Sequence, residues 1–276
     1  MSELAPVVAV AVGAWAYGRG LRRLWARAGT GRVVSRARAA AFAAGMVSLV
    51  AVLSGPLPGA AHRLLWAHMV QHVVLMAVSA PLLVLGAPLP TLLWALPEGA
   101  RRRASTWVRR LNRSHARSGW YAWAAAAVVA HAVAVWAWHV PGAFEAALHH
   151  EVFHVAEHAS FFGTAVVLWW VVLGDLSPSV HGAGVVAVFL TALQGGTLGA
   201  FMTLASHPWY PAYTDRAGST LTALEDQQVA GVIMWAPAGL AYLLAGIAVF
   251  AVWVGRSEQA NPGVSTRNGP GAAMRH

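Results

Sequence analysis

The stretch that decides the fold is residues 65–86, which read LWAHMVQHVVLMAVSAPLLVLG. No Asp, Glu, Lys or Arg interrupts it, and a helix of this length spans about 30 Å, the thickness of a bilayer core. His68 and His72 stand four residues apart in it and therefore share one helix face. The stretch predicts a membrane-spanning helix that carries two imidazoles.

The rest of the chain has the same apolar character. Of its 276 residues 58% are hydrophobic and only 11% are charged, whereas soluble domains carry about 25% charged residues. We therefore predict an all-α, polytopic membrane helix bundle with about seven transmembrane helices. The predicted spans are 4–17, 39–54, 65–86, 119–140, 152–173, 183–205 and 229–254. They form a single domain, 1–255, followed by a polar tail, 256–276, which we expect to be disordered.

The basic residues predict the orientation. All 19 are Arg: seven lie in 19–38, seven in 101–117 and three in the tail, so that only Arg63 and Arg216 fall on the other side. The positive-inside rule then places the N-terminus outside and the C-terminus in the cytoplasm. Because these residues stand in blocks between apolar runs, the net charge of +9 does not indicate a nucleic-acid partner.

Two missing residue types exclude whole classes of chemistry. The chain has no Cys, which excludes disulfides, Cys-ligated zinc and iron–sulfur clusters. It also has no Lys, which excludes a retinal Schiff base. The 13 His, an unusual number for so apolar a chain, are therefore the main clue to its chemistry.

The histidines concentrate at the predicted outer side. His68 and His72 form one pair at the start of the third span, and His154 and His158 form a second pair at the start of the fifth. Two helices that each offer a pair at equal depth can surround one metal with four nitrogens. We predict such a site, with His139 at the outer end of the fourth span as a further donor.

Other side chains could supplement this site. Met76 continues the row of His68 and His72, and Met234 lies in the last span. Asp226 either begins the last helix or orients a ligating His. Glu157 is expected to face away from His154 and His158, toward another helix. Imidazole, thioether and carboxylate donors together suit copper or zinc. For the deeper His131 we expect a hydrogen bond to a neighbouring helix.

Several stretches together are similar to a known family. They are His68-Met69-Val70-Gln71-His72, Trp138-His139-Val140-Pro141-Gly142, the segment from His154 to His158 with Phe161 and Trp169-Trp170, and Asp226-Gln227-Gln228-Val229-Ala230-Gly231 with Met234-Trp235. In this order the chain, over about residues 40–255, resembles the CtaG family of multi-spanning bacterial cytochrome c oxidase assembly factors.

The resemblance implies a plasma-membrane protein that is needed to make active haem–copper oxidase. It implies copper as cargo, oxidase subunits and the lipid bilayer as partners, and no catalytic turnover. His68, His72, His154 and His158 would then be ligands, with His139 as a fifth.

Three other functions remain open from the sequence. A membrane cytochrome b would use His on facing helices as axial ligands of haem. A zinc metalloprotease is suggested by His150-Glu151-Val152-Phe153-His154, which matches H-E-x-x-H and which we interpret as a coincidence. A proton or ion transporter would need ionisable groups through the whole bilayer, and few lie in the predicted cytoplasmic half.

Overall fold

The computed structural model describes residues 4–173, 178–214 and 220–260, and over these residues the chain is helical with no strand. The helices are α1 (Leu4–Ala28), α2 (Arg36–Ser54), α3 (Pro56–Ala61), α4 (Leu65–Val74), α5 (Ala80–Leu85), α6 (Pro88–Ala95), α7 (Glu98–Ser118), α8 (Trp120–His139), α9 (Pro141–His149), α10 (Glu151–Leu173), α11 (Pro178–Leu204) and α12 (Ala223–Ala260). A π-helical segment, Leu75–Ser79, joins α4 to α5, and a 3₁₀ turn, Pro211–Tyr213, precedes α12. The prediction of an all-α membrane helix bundle is confirmed.

Six helices are long and apolar enough to cross a membrane, among the residues described. They are Arg36–Ser54, Leu65–Leu85, Trp120–His139, Glu151–Leu173, Ala183–Leu204 and Ala223–Ala251. Each matches one of the predicted spans to within a few residues, except that the last begins six residues earlier. The chain is thus a multi-pass membrane protein.

The predicted first span is a helix but does not meet this criterion. α1 has 25 residues, and its second half carries Arg19, Arg22, Arg23 and Arg27, so its apolar stretch is short. The count of seven spans is therefore not confirmed, and the orientation of the termini stays a prediction. The last helix continues to Ala260, and 261–276, the rest of the predicted tail, lies outside the described residues.

α1 packs against α6 and brings two arginine-rich segments to one end of the bundle. The backbones touch at Gly20, where a Cβ would stand 1.9 Å from the carbonyl oxygen of Thr91. Arg23 donates from Nη1 to the carbonyl of Ala95 at 3.1 Å, at the end of α6. α7, which begins three residues later, carries the second block of arginines. The predicted orientation requires both blocks of arginines to lie on the same side of the membrane, and their position at one end of the bundle is consistent with it.

The π-helical segment adjusts the third span to a proline. Pro81 has no N–H and its ring clashes with a regular helical turn before it, and the extra residue per turn of a π-helix relieves this conflict. Ala80 N–H donates to the carbonyl of Leu75, which leaves the carbonyl of Met76 without its helical donor. The indole of Trp169 on α10 donates to that carbonyl at 2.8 Å. The irregular turn is therefore fastened to the helix that carries the second histidine pair.

Candidate metal centre

Three membrane-spanning helices converge on a group of buried histidines. α4 contributes His68 and His72, α10 contributes His154 and His158, and the last residue of α8 is His139. His68, His72 and His139 are at most 3% exposed, and His154 and His158 are half-buried. The structure therefore brings together all five histidines that the sequence predicted as ligands.

The spacing within this group is short enough for shared coordination. One ligand atom each of His68, His154, Glu157 and His158 lies within 4.8 Å of the others, and we call these residues the four-residue group. The ring of His72 lies 4.4 Å from that of His68 and 5.3 Å from that of His158. The ring of His139 lies 6.1 Å from that of His72. We call the six residues together the histidine–glutamate cluster.

Glu157 occupies a different place from the one that the sequence suggested. We expected it to face away from His154 and His158, but its carboxylate lies in the same group as their imidazoles, because residues three and four apart share a helix face. It also reaches the neighbouring helix, as expected: its oxygens lie 3.7 Å from Nε2 of His68 and 3.8 Å from Nε2 of His72. Glu157 is fully buried and is the carboxylate of the cluster.

Seven buried polar atoms of the cluster have no hydrogen-bond partner among the described residues. They are Nε2 of His68, both ring nitrogens of His72, Nε2 of His139, both carboxylate oxygens of Glu157 and Nε2 of His158. Buried polar atoms almost always have a partner, since leaving one unpaired costs about 1–3 kcal/mol. So many unpaired donors and acceptors at one place fit a bound cation.

The separations also fit a metal. Four donors about 2.0–2.1 Å from a tetrahedral ion lie about 3.3 Å from each other, and the four-residue group is already within 4.8 Å. Small side-chain rotations would complete such a site. The donors are imidazole and carboxylate, a set that suits copper or zinc.

Neighbouring backbone and phenol groups fix which ring nitrogen faces the cluster. His139 donates from Nδ1 to the carbonyl of Val135 at 2.6 Å, so that Nε2 carries the lone pair. The Tyr213 hydroxyl donates to the carbonyl of Ala61 at 2.9 Å and lies 3.5 Å from Nδ1 of His68. With its own proton used, the phenol oxygen can only accept from His68, and Nε2 of His68 is again the free acceptor.

A second tyrosine holds the end of α8. The buried Tyr210 donates from its hydroxyl to the carbonyl of His139 at 2.9 Å. Burial raises the pKa of this phenol, which keeps it protonated as a donor. Neither Tyr210 nor Tyr213 was predicted from the sequence to have a role. The sequence feature that could have indicated these two hydrogen-bonding phenols is the run Trp209-Tyr210-Pro211-Ala212-Tyr213, which places two aromatic hydroxyls beside a turn.

Asp226 contacts the backbone of α4, the helix that carries His68 and His72, rather than a ligand of the cluster. Its carboxylate accepts from the backbone N–H groups of Leu65 at 2.8 Å and Trp66 at 2.9 Å. It therefore caps the first turn of α4, rather than its own helix, three residues before His68. The expected cap on its own helix is not what the structure shows, because a cap supplied across 160 residues cannot be read from local sequence. The expected role in orienting a ligating His stays a prediction, and it would act through the backbone of α4.

The two methionines that were predicted as supplementary donors are buried in the core of the bundle. Met76 is buried in the π-helical segment, where its carbonyl accepts from Trp169. Met234 is buried against α11, next to Gly199. Their predicted role as supplementary ligands stays a prediction.

Of the H-E-x-x-H pattern, only His154 belongs to the four-residue group. His150 and Glu151 are exposed, and His150 has an extended backbone between α9 and α10. A different pattern coincides with the group: His154, Glu157 and His158 read H-x-x-E-H, a zinc-binding arrangement in reverse order. This spacing was the signal that could have placed Glu157 on the face of the two histidines.

His131 behaves as expected for an isolated histidine in a membrane helix. It is buried on α8, and its Nδ1 lies 3.0 Å from the hydroxyl of Thr164 on α10. This hydrogen bond to a neighbouring helix was predicted and is confirmed.

Comparison with known proteins assigns the family. The model of the cytochrome c oxidase caa3 assembly factor family, Caa3_CtaG, matches residues 15–256. No curated protein and no solved structure matches the chain.

Proposed function

Because the chain belongs to the family of cytochrome c oxidase caa3 assembly factors, we propose that it binds copper and delivers it to the haem–copper oxidase. The cargo would be held by the histidine–glutamate cluster, at the outer side of the bacterial plasma membrane. The observation that carries this proposal is the four-residue group, whose buried ligand atoms lie within 4.8 Å of one another.

The donor set supports copper as the cargo. Sites of nitrogen and oxygen donors bind Cu²⁺ more tightly than the other divalent ions of the first transition row, zinc included. The cluster offers five imidazoles and one carboxylate, so that a copper ion could be held by three or four of them while others stand ready to exchange. A delivery protein needs this reserve, since a site closed by all its strong ligands releases its ion slowly.

The exposure of the cluster supports delivery rather than permanent storage. His154 is half-buried, whereas His68, His72 and Glu157 are inaccessible to solvent. The site is thus shielded by three helices, but the half-buried His154 and His158 lie at its edge, where an ion can be exchanged.

Copper loading of purified protein tests the proposal. We expect about one copper ion per chain in the wild type, measured by elemental analysis and by the electron paramagnetic resonance of Cu²⁺. The double variant His68→Ala/His158→Ala removes two of the four donors and should abolish the signal. His131→Ala is the matched control, a buried histidine of the same bundle outside the cluster.

Folding of the variants is checked by thermal unfolding in detergent. If the wild type takes up no copper, or if the folded double variant keeps the wild-type copper content, the proposed site is wrong. His154→Ala, at the edge of the cluster, provides a milder second variant.

The packing around the cluster disfavours the haem alternative. The ring of Phe161 lies 4.7 Å from that of His72, and the ring of Phe144 lies 5.2 Å from that of His68. A macrocycle would have to displace these aromatic side chains, which are fully buried. An optical spectrum with a Soret band would reverse this assignment.

A zinc hydrolase is a second candidate, favoured by the H-x-x-E-H pattern. In such enzymes the two histidines bind zinc and the glutamate acts as general base. We rank this function second because Glu157 is fully buried and lies against His68 and His72. Glu157→Gln separates the two: a ligand role predicts weaker metal binding, and a general-base role predicts unchanged metal binding with loss of hydrolysis.

A further inference from the structure

An exposed histidine stands beside the four-residue group. His62 follows α3, and its ring lies 6.2 Å from that of His154. From His154 the next rings lie 4.3 Å away, at His158, and 6.0 Å away, at His68. The sequence suggested only a solvated loop at His62, but the fold makes it the first member of a row of imidazoles that leads inward.

The row continues to a second surface. His72 lies 5.3 Å from His158, and His139 lies 6.1 Å from His72, between ring centroids. His139 also forms part of the wall of a cavity of about 480 Å³ near the outer ends of α8 and α11. The rest of the lining is mostly apolar and aromatic, with Trp136, Leu198, Phe201 and Trp209, and the exposed His207 also lines the cavity.

The buried side-chain amide of Gln227 holds the part of the cavity wall that His207 and Trp209 form. The N–H of Trp209 donates to Oε1 of Gln227 at 2.6 Å, and Gln227 is 1% exposed. Gln227 also donates from Nε2 to the carbonyl of His207 at 3.4 Å. These hydrogen bonds fix the backbone at this part of the cavity wall, so the cavity has a defined shape.

Every step of the row is short enough for direct ligand exchange. A metal bound to two imidazoles, about 2.0–2.1 Å from each nitrogen, holds the two ring centroids at most about 6.4 Å apart. The steps from His62 to His139 measure 4.3–6.2 Å. An ion can therefore pass from one histidine to the next without release into water.

We propose that the cluster has two openings: copper enters past His62, and it leaves through the cavity, with His139 as its last ligand. This inference rests on the proposed function. A hydrated ion needs only an exposed ligand, which His62 provides. An acceptor protein must instead insert a donor side chain of its own, and the cavity beside His139 is large enough to receive a thioether or an imidazole.

The two openings are tested separately by rates. Full-length protein in detergent is loaded with Cu²⁺, and release is followed with a short methionine- and histidine-containing peptide as acceptor. His62→Ala should slow loading at least about tenfold, because the entering ion then has no exposed ligand beside His154; a loss of this size is typical when a group that supports a metal ligand is removed. His149→Ala, an exposed histidine outside the row, should load at the wild-type rate.

The cavity is tested by filling it from its rim. Val140 lines the cavity and is 56% exposed, so Val140→Trp narrows the opening without disturbing the core. We expect release to the peptide to slow at least about tenfold while loading stays fast, because the indole obstructs the approach of the acceptor to His139, and association rates among variants of one interface vary over about 1–3 decades. Val133→Trp is the matched control, on α8, which ends immediately before Val140; Val133 is 61% exposed and outside the lining.

The outcomes separate this inference from the proposed function. A wild type that takes up no copper refutes the proposed function and with it the two openings. A wild type that loads normally, with His62→Ala and Val140→Trp at wild-type rates, refutes the two openings alone. Equal slowing of loading and release by Val140→Trp would show a single shared opening and would also overturn the inference.

Discussion

The cap that Asp226 supplies to α4 allows a quantitative prediction. Its two carboxylate oxygens accept from Leu65 N–H and Trp66 N–H at 2.8 and 2.9 Å, and Asp226 is 4% exposed. Hydrogen bonds to a charged group contribute about 1.5–3 kcal/mol each. Asp226→Asn keeps one acceptor oxygen but turns an amide donor toward a backbone donor. We therefore expect a loss of about 1.5–3 kcal/mol in the free energy of unfolding.

The assay is thermal unfolding in detergent, together with copper affinity. For a chain of 276 residues the loss corresponds to a fall of about 3–5 °C in Tm. Because α4 carries His68 three residues after the cap, copper affinity should also fall, by about 10–100-fold as for other groups that orient a ligand. The control is Glu225→Gln, an adjacent carboxylate that is exposed and bonded only to Thr222 among the described contacts.

The expected losses of stability and of copper affinity can each be contradicted separately. If Asp226→Asn unfolds at the temperature of the wild type and of Glu225→Gln, the carboxylate does not stabilise the start of α4. If it unfolds earlier but binds copper with wild-type affinity, the cap stabilises the helix without positioning His68.

Two further predictions concern helix packing and orientation. A Cβ on Gly231 would lie 2.5 Å from the carbonyl oxygen of Gly199 and 2.4 Å from Oγ1 of Thr203, so Gly231→Ala should destabilise the α11–α12 contact by about 1–3 kcal/mol in an unfolding titration. Gly195→Ala, which meets nothing within 4 Å, should not, and equal stability of the two variants would contradict the close approach. Because the chain has no Cys, a single introduced cysteine reports the side of the membrane on which it lies. An impermeant maleimide added to intact cells should label Ser206→Cys and not Ala100→Cys. The reverse labelling pattern would overturn the predicted orientation.

Helix positions were largely predictable from the sequence. Five of the six membrane-spanning helices begin and end within a few residues of the predicted spans, since apolar length alone sets where a helix can cross a bilayer. α1 was harder to assign, because its apolar run is short and four arginines follow within the same helix. The irregular turn at Leu75–Ser79 was not predicted, although Pro81 marked where a regular helix could not continue.

By itself, the sequence determined a helical membrane protein with two histidine pairs on single helix faces, because these properties depend on composition and on spacing within one helix. Only the tertiary structure decided which helices meet: it placed Glu157 against His68 and His72, capped α4 with Asp226, and joined His139 to both the cluster and the cavity. These contacts join residues that are 67 to 161 positions apart or belong to different helices. No local pattern encodes such contacts, because they arise from how separate helices pack together.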